Sequence, residues 1–160
     1  MAKGRDIQLA RQIGEHLVAA ELRRQGFVAT PFAGNVPLFD LLAADLAGRA
    51  FSVQVKTSRG GVWQLQADKF INIDIVEGKQ RVTGLVPLTN PDVIWVFVML
   101  HDAAADYYVC TLAQVQKIVR EDYKDRIRPK NAQSTHCTIS PARLAALHYR
   151  DNWDLLKALT

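Results

Sequence analysis

The stretch from Leu38 to Thr57, LFDLLAADLAGRAFSVQVKT, decides the fold. Two apolar runs that favour strands, Leu38 to Ala44 and Arg49 to Thr57, flank Asp45 to Gly48, whose aspartate and glycine favour a turn, so the segment reads as a β-hairpin. Strand alternation puts Phe51, Val53 and Val55 on one face and Ser52, Gln54 and Lys56 on the other. Gln54 and Lys56 therefore point the same way, about 6 to 7 Å apart at the backbone. A hairpin centred near Ala47 sets Asp40 opposite Gln54. An aspartate, an amide and a lysine then converge on one patch. A carboxylate within the apolar run LFDLLAA is costly unless it has a partner or a task.

Working outward, Asp6 to Gln25 reads as a helix: it lacks proline, is rich in Ala, Leu, Arg, Glu and Gln, and ends at Gly26. Leu9, Ile13, Leu17 and Ala20 form one apolar stripe, and Val18 and Leu22 lie on a second that also carries Glu15. A short strand is expected over Phe27 to Phe32, followed by a Gly34 to Pro37 loop. Downstream, Val62 to Ile75 holds one or two short pieces, and Asn90, Pro91 and Asp92 mark a turn. Val93 to Leu100 is apolar on both faces, as a central strand covered on both sides requires, and Tyr107 to Thr111 reads as its neighbour. Leu112 to Asp125 and Pro141 to His148 read as helices, the latter with Ser140 as N-cap and Pro141 at N1. A last short helix over Asn152 to Leu159 docks Trp153, and the three tryptophans, Trp63, Trp95 and Trp153, read as core anchors.

With 160 residues, of which 49% are apolar, the chain fits one α/β domain spanning 1–160. No apolar run approaches the roughly 20 residues of a membrane helix, and no basic start precedes an apolar segment, so a soluble, cytoplasmic protein is expected. Cys110 and Cys137, placed in a strand and a polar loop, show no metal-ligand spacing and are expected to be reduced. A net charge of +4 and a pI near 9.2 favour polyanions only mildly.

The Asp40, Gln54, Lys56 patch suits phosphodiester hydrolysis, because a hard divalent ion such as Mg²⁺, with Mn²⁺ as a substitute, takes oxygen ligands and keeps waters for the substrate. Asp40 is the expected anionic ligand. The Val55 carbonyl and the Gln54 side-chain oxygen complete the set, with Glu15 approaching from the helix. Lys56 is the expected catalytic cation, orienting water or meeting charge on the phosphorane. Arg59, Gly60 and Gly61, a glycine-rich basic loop after that strand, are candidates for contact with a nucleic-acid backbone.

At this point the chain resembles the PD-(D/E)XK nuclease superfamily through the segments GEHLVAAELRRQGF, PLFDLLAAD and FSVQVKTS. The resemblance spans roughly residues 10 to 60. It implies a central mixed sheet flanked by helices, a metal-dependent nuclease acting on DNA, and frequent dimerisation. Two departures stand out: Gln54 occupies the usual acidic position, as in relatives that read Q-x-K, and two residues separate Pro37 from Asp40. An amide in that position weakens metal affinity. Cutting both strands of a duplex is most simply done by two sites related by a two-fold axis, so a homodimer is expected.

Each site residue also has a plainer reading. Lys56 fits a solvated edge strand, Asp40 a turn, Gln54 filler, and Glu15 a surface pair with Arg11. The basic run Lys117, Arg120, Lys124, Arg126, Arg128 and Lys130 is interspersed with Glu121, Asp122 and Asp125 and fits a solvated helix face. The alternative function is a catalytically inactive nuclease-like module that binds nucleic acid or protein.

Overall fold

The computed structural model of the protein describes residues 2–32, 39–123 and 134–158. The chain begins with helix α1 (Ala2–Arg24) and continues through strands β1 (Val28–Pro31), β2 (Leu41–Ala44), β3 (Ala50–Ser58) and β4 (Trp63–Gln66). The hairpin of β5 (Ile71–Val76) and β6 (Lys79–Leu85) follows, then β7 (Ile94–Leu100) and β8 (Ala105–Thr111). Helix α2 (Leu112–Tyr123), strand β9 (His136–Ile139), helix α3 (Pro141–Ala146) and a 3-10 segment, Trp153–Ala158, complete the described chain.

A mixed sheet of five strands in the order β1-β2-β3-β7-β8 forms the centre. Its pairs are antiparallel except β3 and β7, which run parallel, with Gln54 beside Trp95 and Lys56 beside Phe97. The hairpin register follows the sequence expectation, with Leu41 opposite Val53 and Leu42 opposite Ser52. The Asp45 to Gly48 turn holds because the Asp45 carboxylate accepts from the Arg49 backbone N–H at 2.8 Å and Gly48 takes φ of 84°.

Each face of the sheet carries its own core. On one side, Val18 and Leu22 of α1 meet Val53, Val55 and Val96, with Trp153 and Leu156 closing the end. On the other, Phe97, Met99 and Cys110 are covered by Val115, Ile118 and Val119 of α2, by Leu144 of α3, and by a two-stranded ribbon of β4 and β9. Strand β7 therefore lies between two packed layers, and its VIWVFVML run is buried apart from the partly exposed Trp95. No described helix is long and apolar enough to cross a membrane.

Helix α1 ends in a Schellman motif: the Phe27 N–H donates to the Leu22 carbonyl at 3.0 Å and Gly26, at φ of 93°, donates to Arg23. Of its two expected stripes, the second, Val18 and Leu22, is buried, whereas of the first only Leu17 packs against the core. Ile7, Leu9 and Ile13 are exposed, whereas Ala10, Gly14, Val18, Ala19 and Leu22 are buried. Residue size selected this face, because α1 lies so close to β3 that a Cβ at Gly14 would come within 1.9 Å of the Thr57 Oγ1. Leu9 and Ile13 in that position would hold the helix away from the sheet.

Three other elements depart from the sequence reading. β6 was not expected, although Glu77 and Gly78, both at positive φ, form the tight turn that joins it to β5. Cys137 belongs to β9 and is buried there, with the register fixed by Leu65 opposite Cys137. The last helix is a 3-10 segment. Ser140 caps α3 as expected, accepting from the Arg143 N–H at 3.2 Å. The Gly34 to Pro37 loop, Leu38, and Lys124, Arg126, Arg128 and Lys130 of the basic run lie outside the described residues.

Candidate active site

Strand β2 stops short of the full length of β3, and the site is built at that step. Asp40 continues the ladder by one bond, its N–H donating to the Val53 carbonyl at 2.8 Å. Beyond it no strand among the described residues faces Val55 on this edge, and a buried N–H there needs an acceptor. The Asp40 carboxylate supplies one: Oδ2 accepts from the Val55 N–H at 2.7 Å and also from the Gln54 side-chain amide. A strand residue turns its N–H and C=O to the same edge, so the Val55 carbonyl lies beside this carboxylate.

Lys56 sits one alternation beyond Gln54, on the same face. It lies past the end of the β2 pairing, and the other edge of β3 pairs with β7 there, Lys56 beside Phe97. Its Nζ lies 5.6 Å from the centre of the Trp95 ring, a cation–π contact that also gives Trp95 a role at the site rather than only in the core. Burial pushes the Lys56 ammonium below the ordinary lysine range; Asp40 opposes that shift, and Arg11 and Lys69 add to it.

Glu15 reaches the neighbourhood from α1 and is partly buried. Its carboxyl is raised above the ordinary value, first by burial and then by the charge of Asp40, while Arg11 and His16 pull it back. Asp40 and Glu15 thus feel each other, although no hydrogen bond joins Glu15 to Asp40, Gln54 or Lys56 among the described residues. Arg59, Gly60 and Gly61 form an exposed turn that the Ser58 hydroxyl knits together, and they stand outside the cleft lined by Asp40, Gln54 and Lys56, as does Glu15.

That cleft encloses about 540 Å³ and is lined by Asp40, Gln54, Lys56 and Trp95 together with Arg11, Lys69, Gln64, Gln66, Asn90 and His136. Sequence reasoning placed the first three and missed the cleft role of the others. Arg11 left a trace, one helical turn before Glu15. For Gln64, Gln66 and Lys69 the strand and 3-10 positions depend on long-range packing that no local pattern reports.

No group of three or more His, Cys, Asp or Glu side chains converges among the described residues. A hard divalent ion at this point would therefore rely on the Asp40 carboxylate, the Gln54 amide oxygen and the Val55 carbonyl, with Glu15 at longer range. These are all oxygen donors of the kind Mg²⁺ and Mn²⁺ take, and the repulsion between Asp40 and Glu15 is the kind a cation relieves. The residues fit, with Asp40 and Glu15 as the two carboxylates.

This arrangement of a mixed sheet covered on both faces is one that a solved nuclease also adopts. That structure is a bacterial homing endonuclease, I-Ssp6803I, which matches 93% of this chain and 91% of its own with a TM-score of 0.52 at 15% sequence identity. No known family profile and no characterised protein matches the sequence itself.

Proposed function

We propose that this protein is a metal-dependent DNA endonuclease of the PD-(D/E)XK type, working as a homodimer, with Asp40, Gln54, Lys56 and Glu15 as its site. The observation that carries the reading is the clasp at the end of β2. One carboxylate, one amide and one lysine meet at the lip of a cationic cleft, in the register the hairpin dictates. The shared fold with a homing endonuclease supports it.

Asp40 is the anchoring anion, held in place by the Val55 N–H. Gln54 now donates its NH₂ to Asp40, and a half-turn of the amide presents its oxygen instead. When bound, Mg²⁺ or Mn²⁺ supplies Lewis-acid polarisation of the phosphodiester and lowers the pKa of the attacking water. Lys56, partly buried beside Trp95, places its positive charge where negative charge grows on the phosphorane. Arg11 and Lys69 hold the flanking phosphates in the cleft. Glu15 contributes the second carboxylate, through water.

A second reading is favoured by the Gln54–Asp40 hydrogen bond, which satisfies the carboxylate with no ion at all and suits a binding module that has lost catalysis. Supercoiled plasmid and single-stranded DNA incubated with the protein in EDTA, Mg²⁺ or Mn²⁺ separate the two. Metal-dependent nicking that disappears in Asp40→Ala and Lys56→Ala is expected. DNA binding without cleavage in any metal would favour the binding module.

A further inference from the structure

The β4–β9 ribbon turns one face into the second core and the other into the cleft. Trp63, Leu65, Cys137 and Ile139 are buried, while Gln64, Gln66 and His136 are exposed. Register places Gln64 beside Thr138 and Gln66 beside His136, so the outward face is a row of hydrogen-bonding side chains. Neither glutamine amide has a hydrogen-bond partner among the described residues. The ribbon is also firmly seated, with the Trp63 indole N–H donating to the Val98 carbonyl at 3.1 Å and the Ala67 N–H to Thr135 at 2.8 Å.

Its dimensions and chemistry point to one partner. Two strands about 4.8 Å apart, with their side chains, fit a major groove about 12 Å wide. Residues two apart on a strand are separated by about 6.6 Å, close to two base-pair steps of about 3.4 Å. A glutamine amide, donor and acceptor together, matches the N6 and N7 edge of adenine. Gln64 and Gln66 also share their cleft with Lys56, Arg11 and Lys69, cations suited to the phosphates that border a groove.

We infer that the outer face of the β4–β9 ribbon reads duplex DNA in the major groove, with Gln64 and Gln66 as specificity-determining residues selecting adenine at two positions two base pairs apart. The inference rests on the nuclease reading for its substrate, and it places those positions beside the phosphate held at Asp40 and Lys56.

The test is a binding selection from a pool of randomised DNA duplexes in EDTA, with the full chain, followed by sequencing of the bound fraction. The wild type is expected to enrich adenine at two positions with that spacing. Gln64→Ala relaxes one of them by about tenfold and leaves the other, Gln66→Ala does the converse, and Gln64→Glu shifts its position towards cytosine, whose N4 donates. A flat wild-type profile, or identical profiles in all four proteins, overturns the inference. Because no divalent metal is present, the selection is independent of catalysis. An intact profile with no cleavage in Mg²⁺ or Mn²⁺ would sink the nuclease chemistry alone, and cleavage with a flat profile would sink the reading surface alone.

Discussion

Replacing Gly14 with alanine would move the helix that carries Arg11 and Glu15. An added Cβ would stand 1.9 Å from Thr57 Oγ1 and 3.0 Å from both Thr57 Cβ and Cγ2. Rotating the threonine exchanges one close atom for another, and its Cα is fixed in a central strand, so the helix must lift. Overpacking of this kind costs about 1 to 3 kcal/mol, and the severity of the approach argues for the upper half. Alanine returns about 1 kcal/mol of helix propensity relative to glycine, which leaves a net loss of about 1 to 2 kcal/mol. For a chain of this length that lowers Tm by about 2 to 8 °C, readable by circular dichroism. Thr57→Ala removes a buried hydroxyl that has no partner among the described residues, so alone it should be close to neutral. Combined with Gly14→Ala it should recover at least about 1 kcal/mol. A Gly14→Ala protein that melts at or above the wild type, or one that Thr57→Ala fails to rescue, would refute the close-packing argument.

Asp40→Asn should keep its hydrogen bond to the Val55 N–H and melt within a few degrees of the wild type in EDTA, yet lose any Tm gain on adding Mn²⁺. Gln54→Glu should lower Tm in EDTA by setting a second carboxylate against Asp40, and should enlarge the Mn²⁺ gain; an unchanged response to metal would count against Gln54 as a ligand. Because the Glu15 carboxyl is raised, its ionised form costs stability above its folded pKa, and the cost vanishes as pH falls below the unfolded value of about 4.3. Glu15→Gln should thus be more stable than the wild type at pH 7 and equal to it near pH 3.5, as chemical denaturation would show. The lowered Lys56 carries the opposite pH window: the penalty is full below its folded pKa and gone above about 10.4. Lys56→Met should therefore stabilise at pH 7, less so towards pH 10.5, while reducing cleavage by about a hundredfold or more.

Local chemistry made the hairpin legible. Asp45 and Gly48 fixed the turn, alternation fixed the faces, and together they placed Asp40 against Gln54 before any tertiary contact was known. The doubly buried β7 was equally clear from its unbroken apolar run. On α1 the Val18 and Leu22 stripe was legible, but the Leu9 and Ile13 stripe was misread because hydrophobicity ranks these residues above Ala10 and Gly14, whereas the distance between helix and sheet ranks them the other way. β9 escaped because HCTI is short and sits amid polar residues, and it pairs with β4 from far along the chain. The same long-range pairing brought Gln64, Gln66 and His136 to the cleft, so that half of the site carried no local signature.

The single parallel pairing in the sheet has a bearing on how the protein folds. The Asp40 contacts with Gln54 and Val55 close loops of only 14 and 15 residues, and they fall within a meander of adjacent strands. The contact between Lys56 and Trp95 waits for β7 to return beside β3 after the long excursion that contains β4, β5 and β6. Loop closure costs more for such distant partners, so the clasp is expected to form early and the lysine's seat late. In the interval, β3 presents an open edge where β7 will pair, the kind of surface on which chains aggregate. Refolding yield should therefore depend on protein concentration, with losses set during the wait for β7.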